Sequence, residues 1–169
     1  GRAAARAHKA DSVVSIGGGS ATGLGKAIAL ECDIPLICVV TTYFGSEMTA
    51  ACGMVEGGRK VHYTSPRMRP RAVIYDAELT VGLPPAIAGP SGFNAIAHGV
   101  GSLYRQSSTP MLRLTSLDGI RAMAGALPRI MADPDDLDTR GEALYGAWLC
   151  GMAAAGGSRS IHHKLAHVV

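Results

Sequence analysis

The chain has 169 residues, 47% of them apolar and 17% charged, with a net charge of +3. That suits one ordinary domain or a piece of a larger protein. No apolar run is long enough for a membrane span, and the arginines are spread without interleaved aromatics, which argues against a nucleic-acid partner. The mild positive balance suits a small anionic substrate. Cys32, Cys38, Cys52 and Cys150 make no CxxC pair and no zinc-finger spacing. They read as reduced core residues of a cytoplasmic protein.

Gly1 to Ala10 is rich in Ala and Arg and reads as a helix. Ser12 to Ile16 is short, apolar and β-branched, and is expected to be a buried parallel strand. Gly17, Gly18, Gly19 and Ser20 follow at once, and a helix is expected to open at Thr22. Strand, glycine turn and helix together aim free N–H groups and a helix dipole at a phosphate. The spacing is not GxGxxG, so a plain tight turn is the competing reading. Ile34 to Val40 is the next strand, entered through Pro35. It leads into Thr41 to Thr49, a polar loop at the carboxyl end of a parallel strand, where open α/β sheets bind ligands. Thr41, Thr42, Ser46 and Thr49 offer hydroxyl groups there, and Ser46 or Thr49 can equally cap a helix. Met54 to Tyr63 is expected to be a hairpin about Gly57-Gly58. Arg67, Arg69 and Arg71 lie in a proline-bracketed surface loop, and Arg71 to Asp76 is a further strand.

From Pro84-Pro85 the pattern turns helical. The central helix is expected over roughly Pro85 to Tyr104. Ser91 can cap the stretch that carries the chemistry, and Phe93, Ile96, Ala97 and Val100 are expected to form its buried face. Asn94 and His98 are four residues apart and share one stripe. Further helices are expected over Met111 to Leu127 and Leu137 to Met152, the second after the acidic start Asp133 to Asp136. Gly156 to Ser158 is a break before a helix holding His163 and His167, again four apart. One such pair is usually satisfied locally; two pairs in a chain with six histidines point to a shared site. The division expected is an α/β region over 1–83 and an all-helical region over 84–169. Both ends fall inside apparent elements, so a piece of a longer protein is expected.

Five motifs carry a family resemblance in their order along the chain. They are Gly17 to Ser20 with Gly23-Leu24-Gly25-Lys26, then Thr41 to Thr49, Asn94 to His98, Ala143 to Leu149, and His162 to His167. The chain resembles the iron-containing alcohol dehydrogenase superfamily over nearly its whole length, and within it looks most like the maleylacetate reductases. The resemblance implies a Rossmann-like α/β region followed by an all-α region, with the active site in the cleft between them. It implies NAD(H) or NADP(H) as cofactor, with the diphosphate on Gly17, Gly18, Gly19 and Ser20 and further contacts from Thr41, Thr42 and Ser46. It also implies a catalytic set of Asn94, His98, His163 and His167, with Lys164 helping at carboxylates, and a homodimer for the full-length protein. Metal-dependent members carry Asp at position 94; Asn brings no charge to a divalent cation, and no catalytic metal is expected. A metal-dependent alcohol dehydrogenase and a non-catalytic remnant are the competing readings. Gly101 departs from the family pattern, where an acidic residue is common. So do Phe44, where a smaller residue is usual, and Pro90, which is expected to shorten the first turn of the central helix.

Overall fold

A computed structural model describes residues 1–156; the expected histidine helix, with His163, Lys164 and His167, lies outside them. The chain divides into two compact units. One comprises Gly1–Thr41 and Ser46–Tyr75, the other Thr42–Gly45 and the chain from Asp76 onward.

The first unit begins with helix α1 (Arg2–Ala7), followed by strand β1 (Val13–Gly17), helix α2 (Gly19–Cys32) and strand β2 (Leu36–Val40). A hairpin, β3 (Ala51–Glu56) and β4 (Arg59–Thr64), precedes strand β5 (Ala72–Tyr75). β1, β2 and β5 form a parallel sheet in the order β1-β2-β5, with Val13 opposite Leu36 and Ile37 opposite Ala72. The hairpin is a separate antiparallel pair whose turn falls at Gly57-Gly58, as expected. The unit buries Ala27, Ile28 and Ala29 of α2 and Leu36, Cys38 and Val40 of β2. The expectation that β1 is wholly buried is corrected: Val14 is 54% and Ile16 66% exposed. Among the described residues, that face of the sheet is open. The helix also starts earlier than expected, at Gly19 instead of Thr22. Gly18 takes the extended cap conformation itself, so the glycine turn merges with the first helical turn.

The second unit holds three helices, α3 (Pro85–Leu103), α4 (Pro110–Ala132) and α5 (Leu137–Ala155). They meet through small residues: Gly92 lies against Leu127 and Met123, and Gly146 against the backbone of Met123 and Gly119. This corrects the expected face of α3. Phe93 is 66% and Val100 43% exposed, whereas Ala88, Ser91, Gly92, Ala95, Gly99 and Ser102 are buried. Close approach of the backbones selects the small stripe and turns the bulky residues outward. Ser91 is therefore no cap but an interior residue of α3, its hydroxyl donating to the Ala88 carbonyl. Pro90 does not shorten the helix either: it sits inside it, on the exposed side. α4 likewise runs past its expected end through Pro128, which is exposed, as is Ala124, whose carbonyl Pro128 cannot serve. α5 starts where the acidic run implied, capped by Asp136 accepting from the N–H groups of Asp138 and Thr139. The Thr139 hydroxyl bond, ahead of these backbone bonds, holds the Asp136 carboxyl below the usual range.

Arg140 is fully buried and organises the start of this unit. Its Nε donates to the Pro134 carbonyl at 2.6 Å. Nη1 donates to the Tyr43 hydroxyl at 3.1 Å and to the Thr80 carbonyl, and Nη2 to the Val81 carbonyl at 3.0 Å. Among the described residues no carboxylate takes part; carbonyl dipoles and a hydroxyl hold the charge. Removing the guanidinium strands several buried acceptors at once. Arg140→Ala in the full-length protein is expected to lower unfolding stability by roughly 3 kcal/mol or more, at about 1–3 kcal/mol for each stranded acceptor. Arg129→Ala, which breaks an exposed pair with Glu142, is expected to lower it by under about 1 kcal/mol. Denaturant unfolding of both variants checks the contrast.

Candidate functional site

In the α/β unit the candidate residues gather at the carboxyl ends of β1 and β2. Gly17 closes β1 at φ +138°, a region that a side chain rarely enters, and an added Cβ there would meet the Ala21 Cβ at 2.9 Å. Gly18 caps α2 with no side-chain hydrogen bond, so the N–H groups of the first turn, which includes Gly19 and Ser20, keep their donors for a ligand. Thr41 follows β2, its N–H donating to the Gly17 carbonyl at 3.2 Å. The glycine turn and Thr41 are thus brought together.

Ser46 starts a 3₁₀ turn, Ser46–Met48, and is tied down by a residue that sequence reasoning had given no role. Lys26 is 1% exposed. Its Nζ donates to the Ser46 carbonyl at 2.7 Å, the Thr49 hydroxyl at 3.0 Å and the Ala51 carbonyl at 2.9 Å. Thr49 is therefore engaged in holding the loop; it neither caps a helix nor stands as a ready ligand donor. Glu47, 2% exposed, accepts from the Tyr75 hydroxyl at 2.9 Å. Burial raises the pKa of Glu47, and burial with the Glu47 charge raises that of Tyr75. Burial lowers Lys26 from the ordinary 10.5 to about 8. The signal was present in the sequence: Lys26 falls on the stripe Thr22, Gly25, Lys26, Ala29 that α2 buries.

A cleft of about 640 Å³ lined by Asp33, Pro35, Arg67, Arg69 and Arg71 lies at the opposite end. These residues precede β2 and β5, at the amino ends of the parallel strands, where open sheets do not bind dinucleotides.

In the helical unit the candidates are Thr42, Asn94 and His98. Thr42 opens the short segment Thr42–Gly45, and α3 holds one backbone group of each of the next two residues. The Tyr43 N–H donates to the Ser91 hydroxyl oxygen at 3.4 Å, and Asn94 Nδ2 donates to the Phe44 carbonyl at 3.1 Å. Gly45 has φ +75° and sits so close to α5 that a Cβ would lie 3.1 Å from the Ala147 carbonyl oxygen. The Tyr43 side chain is fully buried, between the Thr80 hydroxyl, to which it donates at 3.3 Å, and Arg140. His98 stands one turn beyond Asn94 on α3 and is half-buried. The expected partners His163 and His167 lie outside the described residues.

Two consecutive matches cover nearly the whole chain. Residues 1–77 match the family described as iron-containing alcohol dehydrogenase, and residues 89–169 match the C-terminal part of the same family. The chain belongs to the iron-containing alcohol dehydrogenase family. Among its relatives, the maleylacetate reductase of Rhizobium sp. (strain MTP-10005) is 50% identical over 97% of this chain and 47% of its own length. That of Burkholderia cepacia is 51% identical over 95% of this chain and 46% of its own. The crystal structure of the Rhizobium maleylacetate reductase superposes with a TM-score of 0.94 at 50% identity, covering 98% of this chain and 47% of that one. The chain spans about half the length of the curated relatives it matches.

The name of the iron-containing alcohol dehydrogenase family implies a metal, and the donors on α3 are a poor fit for one. Asn94 offers a neutral amide with one N–H already given to Phe44, and His98 adds a second neutral donor. Neither supplies the negative charge that a divalent cation draws from a carboxylate. Among the described residues no three His, Cys, Asp or Glu side chains gather as a metal set.

Lys26 gives a pH test of the loop. Between about 8 and the unfolded lysine value of about 10.4, the unfolded chain binds a proton that the folded chain does not. Stability therefore rises with pH across that window and lacks the gain below it. In the full-length protein, the stability difference between wild type and Lys26→Met is expected to shift toward wild type as pH rises from 8 to 10. The shift is up to about 1.4 kcal/mol per pH unit, read by denaturant unfolding at each pH. A difference independent of pH contradicts the buried lysine.

Proposed function

We propose that the full-length protein is an NADH- or NADPH-dependent reductase that converts maleylacetate to 3-oxoadipate, without a catalytic metal, in the breakdown of aromatic compounds. The observation that carries the reading is the amide at position 94, engaged through its nitrogen with Phe44 where a metal-dependent member needs a carboxylate. The maleylacetate reductases at 50% and 51% identity support the substrate. The uncapped turn Gly17 to Ser20 suits a diphosphate, with Thr41, Thr42 and Ser46 contacting the rest of a dinucleotide. A cytoplasmic homodimer is part of the same reading; among the described residues no helix is long and apolar enough to cross a membrane.

The bound dihydronicotinamide supplies a hydride to the alkene carbon next to the carboxylate. The electron pair of the double bond moves onto the conjugated ketone as an enolate, and a proton then adds to the carbon beside that ketone. An alcohol dehydrogenase must stabilise a localised alkoxide, for which a metal serves as Lewis acid. Here the charge is spread over an enolate, which hydrogen-bond donors can hold. His98 and His163 bind substrate oxygens, and one of them gives the proton. Asn94 holds an oxygen with its remaining groups or orients His98; Lys164 or His167 helps with the carboxylates.

The test uses full-length protein, maleylacetate and NADH or NADPH. Dinucleotide oxidation is expected to depend on maleylacetate and to survive a chelator. His98→Ala is expected to lower kcat by about 10²-fold or more. Activity lost to the chelator and restored by ferrous iron or zinc assigns the protein instead to the metal-dependent alcohol dehydrogenases.

A further inference from the structure

We infer that Asn94 is a positioning residue for the segment Thr42–Gly45: its amide N–H is a clip that fixes the backbone following Thr42, and this is why the position carries an amide. The inference rests on the proposed function only in giving Thr42 a dinucleotide contact; the clip itself stands on geometry.

Two anchors one turn apart on α3 grip backbone groups of two adjacent residues of the segment. Ser91 takes the N–H of Tyr43 at 3.4 Å, and Asn94 gives a hydrogen to the carbonyl of Phe44 at 3.1 Å. Ser91 is fully buried and its own hydrogen is committed to the Ala88 carbonyl at 3.0 Å, so it cannot replace Asn94 as a donor. Beyond the clip, Gly45 abuts the backbone of Ala147 and Gly151 on α5. Before it, Tyr43 is pinned by Thr80 and Arg140. Asn94 therefore supplies the one side-chain donor to the Phe44 carbonyl among the described residues.

A carboxylate at this position has no hydrogen to give. It would set two electron-rich oxygens against each other at hydrogen-bonding distance, and the segment would have to move away. Asn94→Asp is thus expected to loosen Thr42–Gly45 instead of recreating a metal-dependent enzyme. The defect has a distinctive pH response. A protonated carboxyl group regains an O–H that can donate to Phe44, so the variant recovers as pH falls toward the carboxyl pKa of about 4, which burial raises. Asn94→Ala has no such route back.

The experiment compares full-length wild type, Asn94→Asp and Asn94→Ala. Backbone hydrogen exchange of a peptide spanning residues 42–45 is expected to speed up about tenfold in both variants at pH 8, the size that loss of one hydrogen bond carries. Exchange across the Lys26-held loop, residues 46–51, is expected to stay at the wild-type rate. KM for the dinucleotide is expected to rise about tenfold in both variants, whatever the remaining groups of Asn94 contribute to KM for maleylacetate. Between pH 8 and pH 5 the Asn94→Asp values return toward wild type and those of Asn94→Ala do not. Unchanged exchange at 42–45, or a rise confined to KM for maleylacetate, overturns the clip and makes Asn94 a substrate ligand. If wild type fails to reduce maleylacetate, the proposed function falls, and the exchange comparison still decides the clip.

Discussion

The helical unit depends on how four residues, Thr42–Gly45, are held after the chain leaves the parallel sheet. Two backbone groups there, the Tyr43 N–H and the Phe44 carbonyl, are matched to side chains of α3, Ser91 and Asn94, and α5 leaves Gly45 no room for a side chain. Arg140 completes the arrangement from below α5's first turn, joining the Tyr43 hydroxyl to the carbonyls of Pro134, Thr80 and Val81. A buried guanidinium surrounded by carbonyl groups is favourable only while all of them stay in place, so its geometry specifies one arrangement of these loops. Thr42 inherits its position from that arrangement.

The α/β unit solves the same problem with different chemistry. Its ligand-side loop is held by Lys26 reaching from the buried side of α2 to three oxygens. In both units one buried cation fixes a loop through uncharged acceptors. Among the described residues the first turn of α2 has no side-chain cap, so its N–H groups stay available above a rigidly held loop, as precise placement of a ligand would need.

Much of this was readable from residue order. Short runs of β-branched and other apolar residues gave β1, β2 and β5, and Gly57-Gly58 marked the hairpin because the turn needs two left-handed residues. The strand, glycine turn and helix, and the Asn94–His98 stripe, were also legible, since local spacing alone determines them. The faces of α3 were not. Hydropathy assigns Phe93 and Val100 to a core, but α3 packs through Gly92, Ala95 and Gly99, and packing distance is a property of two helices that neither sequence segment states. Pro90 and Pro128 misled for a related reason: the residues whose carbonyls they strand, Ala86 and Ala124, are exposed, and water there lowers the cost of carrying proline inside a helix. Arg140 and Lys26 were passed over because a charged residue on a helix usually marks the solvated face; their acceptors come from residues as far as 97 positions away. The change from carboxylate to amide at position 94 was visible at once, while its bond to Phe44, fifty residues earlier, was not.

In the function proposed above, the amide at position 94 links the fold to the chemistry: it would exchange a metal-binding charge for a hydrogen-bond donor, which suits a reaction whose negative charge is delocalised. The most direct measurement is a crystal structure of the full-length protein with bound dinucleotide and ferrous iron supplied in the crystallisation. The expected result is Asn94 Nδ2 still on the Phe44 carbonyl at about 3.1 Å, the diphosphate on the N–H groups at Gly18 to Ser20, and no metal on α3. An Asn94 turned away from Phe44, with its oxygen and His98 both ligating iron, contradicts it.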